Sequence, residues 1–529
     1  MSLVRKFATV GSGTMASRLL GFVREMLMAA AVGVGPVADA FYAAFQFPNT
    51  FRRLFAEGAF NAAFVPLFAR EIEAGGIEGA KKFAEEVFGV LFGILIVLTI
   101  VMELAMPFVI RYAIAPGFAD DPVKLDMTVL LAMIMFPYLI CMSLGAMMAG
   151  MLNSLRQYFV AAIAPVFLNV ILVGILSVVW YLGAEGQVVG EALAWGVLSA
   201  GVVQLAIVWG ALRRNRVNIG LRRPRLTPNV KRLLWLALPA AITGGITQIN
   251  TLIGTAIASG LDGAVSSLNL ADRVYQLPLG VVGVAVGVVL LPELARALRA
   301  GHMRDAANLQ NRSVEFSLFL TLPAGAALMV ISEPIVRVLY ERGAFGPENT
   351  AVVASILAIF GLGLPAFVLI KAFTPGYFAR EDTRTPMIFA GVSVALNITV
   401  ALTLFPVMGA PGIAAAAVVS GWTNAALLFG TLAWRGHWGA DMALLSRIPR
   451  LVLAAAIMAG ALYGAITQFA DNLAPSALFV TQATTLGAMV IAAMVLYFGI
   501  AFLTGGADFG MIRRNVRRGA DKSPENEIE

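Results

Sequence analysis

ALRRNRVNIGLRRPRLTPNVKR, residues 211–232, lies between two long apolar territories. It holds eight basic residues, Arg213, Arg214, Arg216, Arg222, Arg223, Arg225, Lys231 and Arg232, and no acid. Lys and Arg in short loops resist translocation, so such a run stays on the cytoplasmic side of a membrane and orients the chain around it. The composition supports that frame. Of 529 residues, 59% are hydrophobic and 13% charged, whereas a soluble domain carries about 25% charged residues. This excludes a soluble domain of ordinary size and defines an all-α polytopic membrane protein.

Spanning a hydrocarbon core about 30 Å thick takes roughly 20 apolar residues per helix. Apolar windows between turn signals predict fourteen helices, at 7–33, 37–69, 86–113, 123–151, 158–183, 187–212, 229–260, 264–299, 309–340, 347–377, 386–407, 411–434, 448–470 and 477–504. The second and eighth are polar for lipid-facing helices, which predicts an interior position. Basic residues recur in the other connections on the side of the 211–232 run: Lys81 and Lys82, Arg156, Arg299 and Arg304, Arg380 and Arg384, and Arg447 and Arg450. The opposite connections VGVGPV (32–37) and VMGAPG (407–412) carry none. An even count places both termini in the cytoplasm, with Arg5, Lys6, Arg513, Arg514, Arg517 and Arg518 on the same side. The first apolar stretch is too long for a cleavable signal and reads as a span. The net charge of +7 is thus a signal of topology. No aromatic residues interleave the basic clusters, and no nucleic-acid partner is expected. A single cysteine, Cys141, gives no disulfide framework.

Two halves echo each other. VPLFAR (65–70) returns as LPELAR (291–296), and Arg156 precedes Asn169 by 13 residues as Arg384 precedes Asn397. With the shared six-helix spacing, this predicts two pseudo-symmetric lobes, 1–212 and 229–434. The basic linker 213–228 joins them, two further helices occupy 435–504, and a polar tail covers 505–529. An even number of helices per repeat sets the pseudo-axis along the membrane normal.

Charge inside spans is costly, about 2.5 to 3.5 kcal/mol at the bilayer centre on insertion scales, and marks function. The first helix carries Arg18, Arg24 and Glu25; the second Asp39, Arg52, Arg53 and Glu57; the eighth Asp272 and Arg273; the tenth Lys371. Six of these ten are basic, a lining that suits an anion. Pairing along one helix face accounts equally well for Arg53 with Glu57 and for Arg18 with Glu25, and snorkelling accounts for Lys371. Arg24, Arg52 and Arg273 lie well inside their windows. The guanidinium fork matches two oxygens of a phosphate or carboxylate, so a diphosphate between the halves fits. No Walker loop, metal-ligand cluster or paired nucleophile and base is present, and the two histidines, His302 and His437, fall in loops. A catalytic site, a metal and a cofactor are therefore not expected. Alternating access driven by membrane potential or an ion gradient remains.

SRLLGFVRE (17–25), ADAFYAAFQFPNTFRRLFAEGAFNAAFVP (38–66), ADRVYQLPLGVVGVAVGVVLLP (271–292) and KAFTPGYFAREDTRTPM (371–387) resemble the signatures of the MurJ (MviN) family. These are lipid II flippases of bacterial cell-wall synthesis, within the multidrug/oligosaccharidyl-lipid/polysaccharide exporter superfamily. The resemblance implies two six-helix lobes around a cationic cavity in the bacterial cytoplasmic membrane, with lipid II as cargo and other cell-wall synthesis proteins as possible partners. It implies that Arg18, Arg24, Arg52 and Arg273 bind substrate, that Asp39 and Glu57 are the family's first-lobe acids, and that the last two helices form a groove for the lipid tail. From their charge inside spans, Glu25, Arg53 and Asp272 are expected, with Asp39 and Glu57, to line or gate the cavity. Some members bind sodium through an Asp of the seventh helix. The seventh helix here has none, so membrane potential is the expected drive. The rival readings are another exporter of the superfamily, a lipid II-polymerising glycosyltransferase using an exterior carboxylate such as Asp120, Asp121 or Asp262, and a non-transporting scaffold.

Overall fold

A computed structural model describes residues 3–52 and 60–506, and among them every regular element is helical. In chain order the helices are α1 (Leu3–Val32), α2 (Pro36–Arg52), α3 (Phe60–Val109), α4 (Pro122–Met135), α5 (Tyr138–Ser154), α6 (Tyr158–Ile163), α7 (Val166–Leu182), α8 (Gln187–Arg214) and α9 (Pro228–Ala258). The remainder are α10 (Ala264–Arg299), α11 (Met303–Val330), α12 (Ser332–Tyr340), α13 (Pro347–Phe378), α14 (Arg384–Met408), α15 (Ala410–Trp434), α16 (Met442–Gln468), α17 (Ala470–Leu473) and α18 (Phe479–Leu503). Ten helical stretches among the described residues are long and apolar enough to cross a membrane. The ten do not include α1, α2, α9 and α10; of these, α1, α2 and α10 hold most of the charges singled out above.

Proline and glycine divide the predicted windows. The window 123–151 is split into α4 and α5 before Pro137, and 158–183 into α6 and α7 before Pro165, since a proline nitrogen has no hydrogen to donate. The predicted loop between the second and third windows is helical instead. Its residues, rich in Ala, Glu and Lys, are good helix formers, and α3 is interrupted only at Gly76, whose φ of 64° and ψ of −164° bend the chain.

One kind of helix end recurs along the chain. After α5, Arg156 takes φ 61° and the Gln157 N–H donates to the Leu152 carbonyl at 2.8 Å; after α13, Glu381 takes φ 61° and the Asp382 N–H donates to Tyr377 at 3.1 Å. After α8 and α15 the same left-handed turn falls on Arg216 and Gly436, with Val217 donating to Leu212 at 3.1 Å and His437 to Leu432 at 3.0 Å. Each is the six-to-one bond of a Schellman turn. The turn residues therefore pair Arg156 with Glu381 rather than with Arg384. Asn169 and Asn397 are both buried.

The chain forms two compact units. The first runs to Leu270 and includes Tyr340–Asn349 and Ala401–Ile413; the second comprises Ala271–Leu339, Thr350–Val400 and the chain from Ala414. Thus α9 and the first turns of α10 group with α1–α8. In the first unit the linker crosses the middle of α3: Glu85 accepts from the Gly220 N–H at 3.1 Å and pairs with Arg222 at 2.6 Å, while Glu86 accepts from the Thr227 hydroxyl at 2.8 Å. In the second unit α16 and α18 pack beside α11, where the Tyr497 hydroxyl donates to Phe319 O at 2.8 Å and Arg447 pairs with the buried Glu315 at 2.6 Å.

Asp382 clasps the start of α14. It accepts from the Thr385 N–H at 3.0 Å and hydroxyl at 2.7 Å, and from Arg435 at 2.8 Å. The Thr385 bonds first and Arg435 second hold its carboxyl at about 2. A depressed carboxyl stabilises the fold above the unfolded value, near 3.9, and that contribution is lost as pH falls through the folded one. Intrinsic-rate-corrected amide exchange over residues 384–388 is therefore expected to be unchanged between pH 7 and pH 5. It should accelerate at pH 7 in Asp382→Ala, which removes a cap worth roughly 0.5–2 kcal/mol.

Candidate functional site

The first-unit candidates stand on α1 and α2. Arg24 pairs with the adjacent buried Glu25, and the Tyr42 hydroxyl of α2 donates to the other Glu25 oxygen at 2.6 Å. Glu25 thus ties α1 to α2 and holds the Arg24 head, 14% exposed, in one position. Arg18 is exposed and makes no ion pair among the described residues; the heptad spacing made it a candidate partner of Glu25. Asn169 of α7 donates to the Ser17 carbonyl at 3.0 Å, which braces α1 beside Arg18. At the end of α2 the Arg52 Nε donates to Asn49 Oδ1 at 3.0 Å. Arg53 and Glu57 lie outside the described residues.

Asp39 lies elsewhere on α2, near its start. Its side chain is wholly buried. One oxygen accepts from Lys124 Nζ at 2.9 Å and the Gly263 N–H at 2.7 Å, the other from the Ser266 N–H at 2.9 Å and hydroxyl at 2.8 Å. It therefore caps α10 and neutralises Lys124, itself 2% exposed, which also reaches the 75% exposed Asp262 at 2.7 Å and covers the Phe118 ring at 4.1 Å. Gly263, at φ 76°, has Val34 2.6 Å from where a Cβ would stand. Neighbouring contacts close the same face: Gly117 N–H donates to Ser259 Oγ at 2.9 Å, and Ala344 N–H to Ala30 O at 2.9 Å. The turns of both sequence halves, α1–α2, α9–α10 and the segment after α12, are locked together here.

In the second unit Asp272 of α10 accepts from Gln276 one turn later, and Arg273 is partly buried. The Lys371 stem of α13 lies across Gly283, its Cδ and Nζ 2.8 Å from where a Cβ would stand. An apolar hollow of about 460 Å³ runs between α16 and α18, lined by Leu462, Phe469, Met489 and Leu496 among others.

Lys124, Gly263 and Ser266 escaped the sequence reading. Lys124 follows Asp120, Asp121 and Pro122 at a loop end and reads there as an interfacial charge. Asp121 and Asp262, both candidate carboxylates for transferase chemistry, have other work. Asp121 accepts from the Val123 and Lys124 N–H groups at 3.1 and 3.2 Å, and Asp262 faces Lys124.

Helices of spanning length, a guanidinium paired with a carboxylate that a phenol also holds, and a buried ionic knot across one face define a polytopic α-helical membrane protein. The family described as "Lipid II flippase MurJ" matches residues 28–484. A probable lipid II flippase MurJ of Rhizobium meliloti (strain 1021) is 69% identical over 523 residues, covering 99% of this chain and 98% of that one. Another, of Rhizobium tropici, is 60% identical over 518 residues, covering 98% and 97%. A solved lipid II flippase MurJ in an inward closed conformation superposes with a TM-score of 0.78 at 25% identity, covering 93% of this chain and 98% of that one. The chain belongs to the lipid II flippase MurJ family.

Removing one partner of a buried ion pair costs roughly 3–5 kcal/mol, because the other charge stays buried. Lys124→Met is therefore expected to lower the apparent unfolding temperature in detergent well below that of Asp262→Asn, whose exposed carboxylate is worth about 1 kcal/mol or less. The reverse ranking would assign the knot's stability to Asp262.

Proposed function

We propose that this chain moves lipid II, the undecaprenyl-diphosphate-linked GlcNAc-MurNAc-pentapeptide, from the cytoplasmic to the periplasmic leaflet of the bacterial cytoplasmic membrane for peptidoglycan synthesis. The lobes 1–212 and 229–434 alternate in access, fourteen helices span the bilayer, and both termini and the basic linker face the cytoplasm. The observation that carries this reading is the Asp39 knot. It joins α2 and α4 of the first half to the α9–α10 turn of the second on the face opposite the basic linker. A carrier that receives cargo from the cytoplasm needs this periplasmic closure, and it has to be reversible. A capped, hydrogen-bonded ion pair meets both needs, because water and the exposed Asp262 can take over its charges as the face opens.

The cargo's headgroup is too polar to cross hydrocarbon, whereas its isoprenoid tail can remain in lipid. Arg24, fixed by Glu25 and Tyr42, offers a pre-oriented fork to the diphosphate. Arg18, Arg52 and Arg273 supply further positive charge, and fixed donors aimed at an anion act without reorganisation. The hollow between α16 and α18 suits part of the tail. No catalytic chemistry is required of the protein. Membrane potential or an ion gradient drives the cycle, and α9 contains no Asp to hold a sodium ion. A drug exporter of the same superfamily is disfavoured by the arginine surplus, which suits an anionic cargo.

Purified protein in sealed vesicles with an imposed potential tests the assignment, by following leaflet exchange of labelled lipid II. Wild type is expected to give potential-dependent exchange and Arg24→Ala none. Arg24→Lys keeps the charge but loses the fork. Hydrogen bonds to charged groups are worth about 1.5–3 kcal/mol, so its exchange is expected to fall about tenfold or more. Folded, lipid II-binding wild type without exchange would overturn transport, and an unimpaired Lys variant would overturn bidentate binding.

A further inference from the structure

The first unit contains two adjoining hollows that the transport cycle leaves unused. One is a polar cleft of about 70 Å³ lined by Leu67, Arg70, Glu71, Phe83, Asn229 and Arg232. The other is an apolar groove of about 300 Å³ between α3 and the first turns of α9, with Val87, Val90, Ile94, Leu233, Leu234 and Trp235 among its walls. On α9 the polar lining residues Asn229 and Arg232 alternate with the apolar Val230 and Leu233, and on α3 Phe83 of the cleft stands one turn before Val87 of the groove. A small charged chamber therefore opens beside a long greasy one.

Arg70 and Arg232 are both exposed, and among the described residues neither forms an ion pair with Glu71 or any other acid within 4.0 Å. Two guanidinium groups against one carboxylate leave the cleft a positive charge. The linker adds more along the same face of α3: Pro224 packs 3.8 Å from where a Cβ at Gly93 would stand, and Arg223 and Arg225 beside it are exposed. Trp235, 76% exposed, stands at the groove as the aromatic type enriched where headgroups meet hydrocarbon.

We propose that cleft and groove together seat one anionic glycerophospholipid of the leaflet facing the linker, its phosphate between Arg70 and Arg232 and one acyl chain along the groove. The juxtaposition suits the occupant: a small cationic cleft of about 70 Å³ beside an apolar groove of about 300 Å³ matches one phosphate next to one acyl chain. Charge selects an acidic lipid, because an ammonium-bearing headgroup would meet the two guanidinium groups. A lipid seated here ties both arms of α3, on either side of Gly76, to the start of α9.

Native mass spectrometry of the full chain in detergent, titrated with phosphatidylglycerol or phosphatidylcholine, tests the site. The double variant Arg70→Gln/Arg232→Gln removes the cations. Leu234→Trp, at a 42% exposed position, narrows the groove without touching charge. Phosphatidylglycerol is expected to bind about tenfold more weakly to each, as the loss of one charge-assisted hydrogen bond implies, with phosphatidylcholine unchanged. Equal retention by all three proteins would overturn the proposal. Loss in the arginine variant alone would also overturn it, leaving only diffuse surface attraction. Retention of undecaprenyl diphosphate in place of phosphatidylglycerol, sensitive to the same variants, would overturn it in favour of the cargo. The readout is bound phospholipid, so it stands apart from any transport result.

Discussion

A carboxylate removed from water must be surrounded by donors or become neutral, and Asp39 meets that condition with four hydrogen bonds from α4 and the α9–α10 turn. Everything on that face of the first unit depends on it. Asp39 caps the start of α10 through Gly263 and Ser266, and without it Lys124 would keep only the exposed Asp262 as its counter-charge. The α1–α2 turn is positioned where Val34 meets Gly263. A hydrophobic plug could seal the same face, but it would gain from staying shut, whereas an ion pair recovers its solvation whenever water enters. Removing either partner of the knot would leave the other charge buried and less well compensated.

The same logic separates the charges. Glu25 and Asp39 are both buried acids near the beginning of the chain, yet their uses differ. Asp39 is consumed by structure, since its acceptor sites go to the backbone and to Lys124. Glu25 spends one oxygen on Tyr42 and the other on Arg24, which orients a cation without enclosing it. Of the residues first grouped as cavity lining, Asp39 is thus enclosed by its hydrogen bonds, whereas Glu25 contacts the partly exposed Arg24.

The membrane class was legible because hydropathy is written residue by residue, and so were the helix territories, since prolines and glycines announce their own breaks. The intramembrane charges announced themselves by their cost. What the sequence could not reveal was pairing at a distance: Lys124 meets Asp39 across 85 residues and Asp262 across 138, and Lys124 alone looks like an ordinary loop-end charge. Local spacing misled in one place. Arg18 and Glu25 stand seven apart and share a helix face, yet Glu25 pairs with its neighbour Arg24, whose long flexible side chain can fold back to a group that helix geometry directs elsewhere. Of the matched pairs behind the repeat, Asn169 and Asn397 are both buried, whereas Arg156 and Arg384 do not hold the same turn position. The second turn is longer, and its left-handed residue is Glu381.

The linker after α8 has a further meaning. A free strand from Asn215 to Thr227 could extend roughly 45 Å, ample slack for two halves to wander. Glu85 and Glu86 stitch it to α3, and Gly89 and Gly93 admit its backbone and Pro224 with no side chain of their own in the way. The thread is sewn down along its length, so no leash remains. Thr227 then caps α9 directly, so the chain passes from α8 into α9 by a pinned connection in place of a swinging tether.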